Sequence, residues 1–251
     1  MLQDFRFSDA KRIGRAYRRQ IAAFGQPKFD TWTLLFPQHR IAYVPIPKAA
    51  NSSIRAELLR LIGEKPEMIG HVQQFDGFDK QQFLNCRHLL TPDWFVFTVV
   101  RNPYSRAASA YLDKVVSREL PFNALKSMGI RKSDSFERFL RMIRLWPTAA
   151  LNDHVMPQAR LLSHPLQLPN LRVFRVEALQ ADWPKIVEGI EKASGVRLQP
   201  LERRNRTAAE TPWQSLINDR SASLIRRIYA GDFRQFSYPL DVSTASKSKN
   251  S

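Results

Sequence analysis

Lys48 stands where an apolar run gives way to small polar residues, in Tyr43-Val44-Pro45-Ile46-Pro47-Lys48-Ala49-Ala50-Asn51-Ser52-Ser53-Ile54-Arg55. An ammonium beside hydroxyl and amide side chains is chemistry for holding a phosphate or sulfate, provided backbone N–H groups converge on the same point. A second cation, Arg101, follows the apolar stretch Trp94 to Val100 and leads into Asn102-Pro103, with Ser109 eight residues further on. An arginine at the end of a buried strand, beside a helix start, is well placed to hold an oxyanion. Histidine is the side chain best suited to accept a proton near neutral pH, and His71 stands in the irregular stretch Gly70-His71-Val72, with His88 before the next strand; His154 lies in the polar segment Asn152-Asp153-His154-Val155-Met156-Pro157-Gln158. Arg204, Asn205 and Arg206, within Glu202 to Thr207, suit a loop over an anionic ligand.

Each feature also has a plainer reading. Lys48 fits an ordinary strand-to-helix turn, Arg101 fits an ion pair that caps a sheet edge, and the arginine cluster fits a solvated basic turn. Asp153 and His154 would suit a metal, but no second histidine or carboxylate stands at ligand spacing, so no metal is expected. The nucleotide-hydrolase loop G-x-x-x-x-G-K-[ST] is absent here: the segment has no glycine and its lysine comes first, which disfavours a kinase or ATPase.

These residues need elements to place them. Ile41 to Ile46 reads as a short buried strand, followed by helical spacing at Ile54, Leu58, Leu61 and Ile62, with Asn51, Ser52 or Ser53 as the helix cap. Thr31 to Phe36, Trp94 to Val100 and Leu171 to Val176 read as further strands. The second of these is apolar throughout, as in a parallel strand covered on both faces. Helices are predicted from Pro103 through Val115, from Ser135 to Leu145 with Asp134 and Glu137 in capping spacing, from Asp182 to Ser194 before Gly195, and from Trp213 to Tyr229. The alternation predicts an α/β fold, one domain over residues 1–242 with a central parallel sheet flanked by helices. A basic helix over 8–23 is expected to pack on that domain, its charge being compatible with peripheral membrane contact as well. The Ser/Lys/Asn-rich tail, 243–251, is expected to be disordered.

The chain has 251 residues, and its 39 Lys and Arg against 23 Asp and Glu give a net charge of +16, which favours an anionic partner. Its single cysteine, Cys86, excludes an intrachain disulfide and suits a reducing compartment. No apolar run approaches the roughly 18 residues of a membrane span, and the N-terminus lacks a signal-peptide core, so a cytoplasmic location is expected.

Ile46-Pro47-Lys48-Ala49-Ala50-Asn51-Ser52-Ser53 and Val100-Arg101-Asn102-Pro103-Tyr104-Ser105-Arg106-Ala107-Ala108-Ser109-Ala110-Tyr111 together resemble the two cosubstrate motifs of the sulfotransferases. These enzymes use 3′-phosphoadenosine 5′-phosphosulfate (PAPS), and the likeness is to the carbohydrate branch that includes the chondroitin and heparan 2-O enzymes. Gly70-His71-Val72, the segment ending Pro157-Gln158, Phe174-Arg175-Val176-Glu177 and Ile228 to Phe233 resemble further landmarks of that family. The resemblance implies a P-loop-like nucleotide-binding sulfotransferase fold, with PAPS bound by Pro47, Lys48, Ala49, Ala50, Asn51, Ser52 and Ser53 on the 5′ side and by Arg101 and Ser109 on the 3′ side. It implies Lys48 on the leaving oxygen and His71 as the base. His154 is then a second candidate base or a substrate contact, and Arg204, Asn205 and Arg206 form a nucleotide-side loop. Ala49-Ala50 departs from the Thr-Gly or Thr-Ala common after the lysine. The soluble, cysteine-poor chain also departs from membrane-anchored Golgi relatives, which points to a bacterial-type cytoplasmic enzyme.

The implied acceptor is a carbohydrate or other hydroxyl compound, compatible with an anionic one. Two competing classes stay open: a basic module for nucleic acid or acidic glycans on an inactive nucleotide fold, and a phosphotransferase. Charges gathered at strand ends, instead of a basic stripe interleaved with aromatics, favour the enzyme and no nucleic-acid partner.

Overall fold

Leu34, Phe36, Ile41, Tyr43, Phe97 and Val99 share one buried cluster, while Leu35, Ala42 and Val96 belong to another. That alternation is the period of two expected of strands whose faces are both covered. In the computed structural model, which describes residues 14, 15, 18, 30–66, 72, 75–117, 119, 123–201 and 212–247, the strands are β1 (Trp32–Phe36), β2 (Ile41–Val44), β3 (Asp79–Gln82), β4 (Phe95–Val100) and β5 (Leu171–Arg175). The helices, in chain order, are α1 (Asn51–Leu58), α2 (Phe83–Cys86), α3 (Pro103–Tyr111), α4 (Asn123–Ser127), α5 (Phe136–Leu145), α6 (Gln158–Leu161), α7 (Leu179–Ser194), α8 (Asp219–Ile228), α9 (Ala230–Gln235) and α10 (Val242–Lys247).

These elements fall into two compact units interleaved along the chain. Among the described residues, a sheet unit takes those of 30–102, 158–201 and 243–247, and a helical unit takes those of 103–157 and 212–242. The units are not consecutive in the chain, which leaves the sheet unit at Asn102 and rejoins it at Gln158.

In the sheet unit the strand order is β3-β1-β2-β4-β5. β2, β4 and β5 pair in parallel, as expected of the centre, whereas β1 pairs antiparallel with both β2 and β3. The expectation of a parallel sheet is corrected at that edge. Only the short turn Pro37–His39, closed by left-handed Arg40 (φ 53°), joins β1 to β2, and so short a connection permits only an antiparallel return. β3 has no counterpart in the sequence reading, since Asp-Lys-Gln-Gln offers no apolar alternation and lies mostly exposed at the sheet edge. β4 is buried along its whole length. Ile54 and Leu58 of α1 and Trp183, Ile186 and Ile190 of α7 fill the cluster that holds Tyr43 and Phe97, whose rings stack with centroids 4.9 Å apart.

In the helical unit α5 packs against α8, burying Phe139, Leu140 and Ile143 on one side and Ala222 and Ile225 on the other. Ser135 caps α5 by accepting the Arg138 N–H, while Asp134 turns to the Arg131 N–H and the Arg138 side chain. The predicted helix Trp213 to Tyr229 is instead a 3₁₀ turn, Trp213–Leu216, followed by α8, because Asn218 and Ser221 form a reciprocal capping box. The predicted basic helix over 8–23 lies outside the described residues apart from Gly14, Arg15 and Arg18, which are helical. The tail expected to be disordered from 243 instead continues α10 as far as Lys247, with residues 248–251 outside the described ones.

The end of β2 is pinned to β4 by a side chain: the buried Thr98 hydroxyl donates to the Val44 carbonyl at 2.7 Å. Thr98→Val keeps the shape and removes that bond, and is expected to lower unfolding free energy by about 1 kcal/mol with an unchanged denaturant slope in urea titrations.

Candidate functional site

After β2 the chain turns on itself, the Ala49 N–H donating to the Ile46 carbonyl at 3.1 Å. Lys48 (φ 70°) and Ala50 (φ 60°) both lie in the left-handed region, which L-residues other than glycine seldom occupy. Ala50 stands at the N-cap of α1 with no side-chain capping bond. The expected cap by Asn51, Ser52 or Ser53 is therefore corrected. As at any helix start, the carbonyl of the cap residue receives the first intrahelical bonds, here from the N–H groups of Ser53 and Ile54, each at 3.1 Å. Asn51 opens the helix, and its Oδ1 accepts the Tyr43 hydroxyl at 2.6 Å. Burial pushes that hydroxyl up beyond its ordinary range, against the opposing pull of Arg55, so Tyr43 is a neutral donor that ties the first residue of α1 to β2. Pro47 and Lys48 are half-buried, Ala49 is buried, and Ser53 is buried beside half-buried Ser52. The positive end of α1 thus faces the loop that carries Lys48, which is a setting for an anion.

Arg101 joins this loop from β4. Its Nη1 donates to the Lys48 carbonyl at 3.1 Å, so the two cationic residues come from adjacent parallel strands and meet through one hydrogen bond. The backbone of Arg101 is held by the Gln158 carboxamide, whose Oε1 accepts the Arg101 N–H at 2.8 Å and whose Nε2 donates to the Arg101 carbonyl at 2.7 Å. Glu177 Oε1 accepts the Asn102 N–H at 2.8 Å. Reasoning from the sequence missed these two roles. The signal was present in part, because Gln158 and Glu177 end two of the segments that carry the family resemblance.

Ser109 and His154 belong to the helical unit. Ser109 is buried on α3. Arg106, also on α3, is 1% exposed and donates to the carbonyls of Met156 at 2.8 Å and Asp153 at 3.0 Å, while the Tyr229 hydroxyl donates to the Val155 carbonyl at 3.0 Å. A buried guanidinium and a buried phenol therefore hold the backbone of the segment that presents His154. The His154 Nδ1 lies 2.9 Å from both Asn152 Oδ1 and Asp153 Oδ1. With two acceptors facing it, Nδ1 carries the proton in the neutral ring, and Nε2 is the basic nitrogen. Burial raises the Asp153 carboxyl, but the bonds and charge of His154, its backbone N–H and Arg106 outweigh this and hold it below the usual range.

His71, Arg204, Asn205 and Arg206 lie outside the described residues. Among the described residues no group of three or more His, Cys, Asp or Glu side chains is arranged to hold a metal ion, and no helix is long and apolar enough to cross a membrane. In the sheet unit the donors at hand, an ammonium, a guanidinium, two hydroxyls and a helix N-terminus, fit a phosphate-bearing ligand.

The profile described as "Sulfotransferase family" matches residues 32–239. The chain is similar to the protein named carbohydrate sulfotransferase 10 from Mus musculus, 27% identical over 241 residues, covering 80% of this chain and 65% of that protein. It is likewise similar to those of Homo sapiens, 25% identical over 239 residues, and Danio rerio, 26% identical over 245 residues, each covering 80% of this chain and 65% of the relative. The chain thus spans just under two thirds of the length of these relatives. No solved structure matches the chain significantly.

Two outcomes follow from the geometry. Ala50→Gly removes a left-handed strain of about 1–2 kcal/mol against an unfolded-state entropy of about 0.4–1 kcal/mol, so it is expected to raise stability by roughly 0.5–1 kcal/mol in denaturant titration. Asp153, with its folded pKa depressed, contributes stability that is present above the unfolded carboxyl pKa of about 4 and is lost as pH falls through the lower folded value. Asp153→Asn is therefore expected to flatten the fall in melting temperature below about pH 4 relative to wild type.

Proposed function

Because the chain belongs to the sulfotransferase family, we propose that it is a PAPS-dependent enzyme that transfers a sulfuryl group to a hydroxyl of a carbohydrate. The observation that carries this reading is the hydrogen bond from Arg101 to the Lys48 carbonyl, which joins the two motif cations at the ends of neighbouring parallel strands. Ligands of open α/β sheets bind at such strand ends. The carbohydrate acceptor draws on the name that the relatives bear.

When bound, PAPS supplies a sulfuryl group on a 5′-phosphate leaving group. Toward it, Pro47, Ala49, Ala50 and Asn51 form the backbone of the turn, and the start of α1 with the hydroxyls of Ser52 and Ser53 holds the 5′-phosphate. Lys48 neutralises the charge that develops on the departing oxygen. Arg101 takes the 3′-phosphate, and Ser109 joins it on the strength of the motif alone. His71 receives the proton of the acceptor hydroxyl. His154, with the proton of its neutral ring on Nδ1 and Nε2 as its basic nitrogen, is the second candidate for that proton or a contact to the acceptor. Arg204, Asn205 and Arg206 are assigned to the nucleotide side. A cytoplasmic setting suits the free, buried Cys86.

Adenosine 3′,5′-bisphosphate is expected to raise the melting temperature more than ADP or AMP at equal concentration. An equal response to all three, or none, would sink the reading. Lys48→Ala should abolish turnover of PAPS, and Arg101→Ala should mainly weaken cosubstrate binding. His71→Ala should stop turnover while leaving adenosine 3′,5′-bisphosphate binding intact, and normal turnover in that variant would transfer the base to His154.

A further inference from the structure

Gln158 has no exposed surface, yet it carries a carboxamide that must find partners inside the protein. It finds both on one residue, accepting the Arg101 N–H at 2.8 Å and donating to the Arg101 carbonyl at 2.7 Å. That is the exchange a neighbouring strand makes with its partner. Here it comes from a side chain, one residue beyond Val100, where the ladder of β4 with β5 ends at Arg175. Glu177, two residues beyond that same end, accepts the next N–H, that of Asn102, at 2.8 Å. Pro103 follows and has no N–H.

The backbone of this turn is thereby engaged. The N–H of Arg101 bonds to Gln158 and that of Asn102 to Glu177, so an anion held here is held by side chains. The Arg101 guanidinium is set in turn by its bond to the Lys48 carbonyl at 3.1 Å.

We infer that Gln158 and Glu177 are positioning residues for Arg101: by fixing the backbone of residues 101 and 102 they aim the guanidinium, and so set the preference for a ligand that carries a 3′-phosphate. This rests on the proposed role of Arg101 toward PAPS. Neither residue is assigned any contact with the ligand.

The test compares adenosine 3′,5′-bisphosphate with 5′-AMP, which lacks only the 3′-phosphate, by titration calorimetry on the full chain. Wild type is expected to prefer the bisphosphate. Gln158→Ala is expected to lower that preference about tenfold while leaving AMP affinity within about threefold. Glu177→Ala should do the same, and Glu177→Gln should restore the preference because its amide oxygen still accepts the Asn102 N–H. If Gln158→Ala does not fold, the pair of Glu177 variants decides. Preference retained in both alanine variants overturns the inference and leaves the reading of Arg101 standing. Equal weakening toward both ligands also overturns it, since it marks a general structural role. A wild type without preference overturns the reading of Arg101, and the inference with it.

Discussion

Val44 pairs with Thr98 in a parallel ladder, and the site depends on that direction. Parallel strands release their chains at the same edge of the sheet, so the loop with Lys48 and the turn with Arg101 start side by side. Were β4 reversed, its six residues would carry Arg101 about 20 Å away, to the opposite edge. No side chain spans that distance. The Thr98 hydroxyl on the Val44 carbonyl fixes the register at the last pair before the loop departs.

Around that register, two cationic residues are tied through the backbone of one of them. Arg101 bonds to the carbonyl of the residue that bears the Lys48 ammonium, and a chain with a net charge of +16 adds a field of the same sign. Neutral contacts hold both sides of the turn: the carboxamide of Gln158 on the Arg101 backbone, and the Tyr43 phenol on Asn51. Left-handed Lys48 and Ala50 add strain to the same turn. Backbone strain concentrated in one turn beside a well-packed sheet is typical of a place built for a ligand.

What the sequence revealed follows the range of the forces involved. β2 and β4 were legible because burial on both faces leaves continuous apolar runs, and Gly195 marked the end of α7 because its φ of 72° suits glycine. β3 was illegible because an exposed edge strand of Asp-Lys-Gln-Gln carries no hydrophobic signal. The cap of α1 misled in a different way. Asn51, Ser52 and Ser53 are all good capping types, and the chain enters instead through an alanine in a conformation that composition does not announce. The partners of Arg101 and Asn102 lie 57 and 75 residues away in the chain, beyond any local pattern. The motifs located the cations, and the contacts that hold them required the fold.

The grip of Gln158 on Arg101 also closes a loop. The chain departs after Asn102 and comes back at Gln158, and the two ends of that excursion are tied together by paired bonds of 2.7 and 2.8 Å. A segment fastened at its base transmits little of its own length to the strands it leaves and rejoins. Lengthening a closed loop adds only about 0.6 kcal/mol per doubling. The length of chain between Asn102 and Gln158 can therefore vary in its loops at small entropic cost while the paired bonds keep the ends of the excursion together.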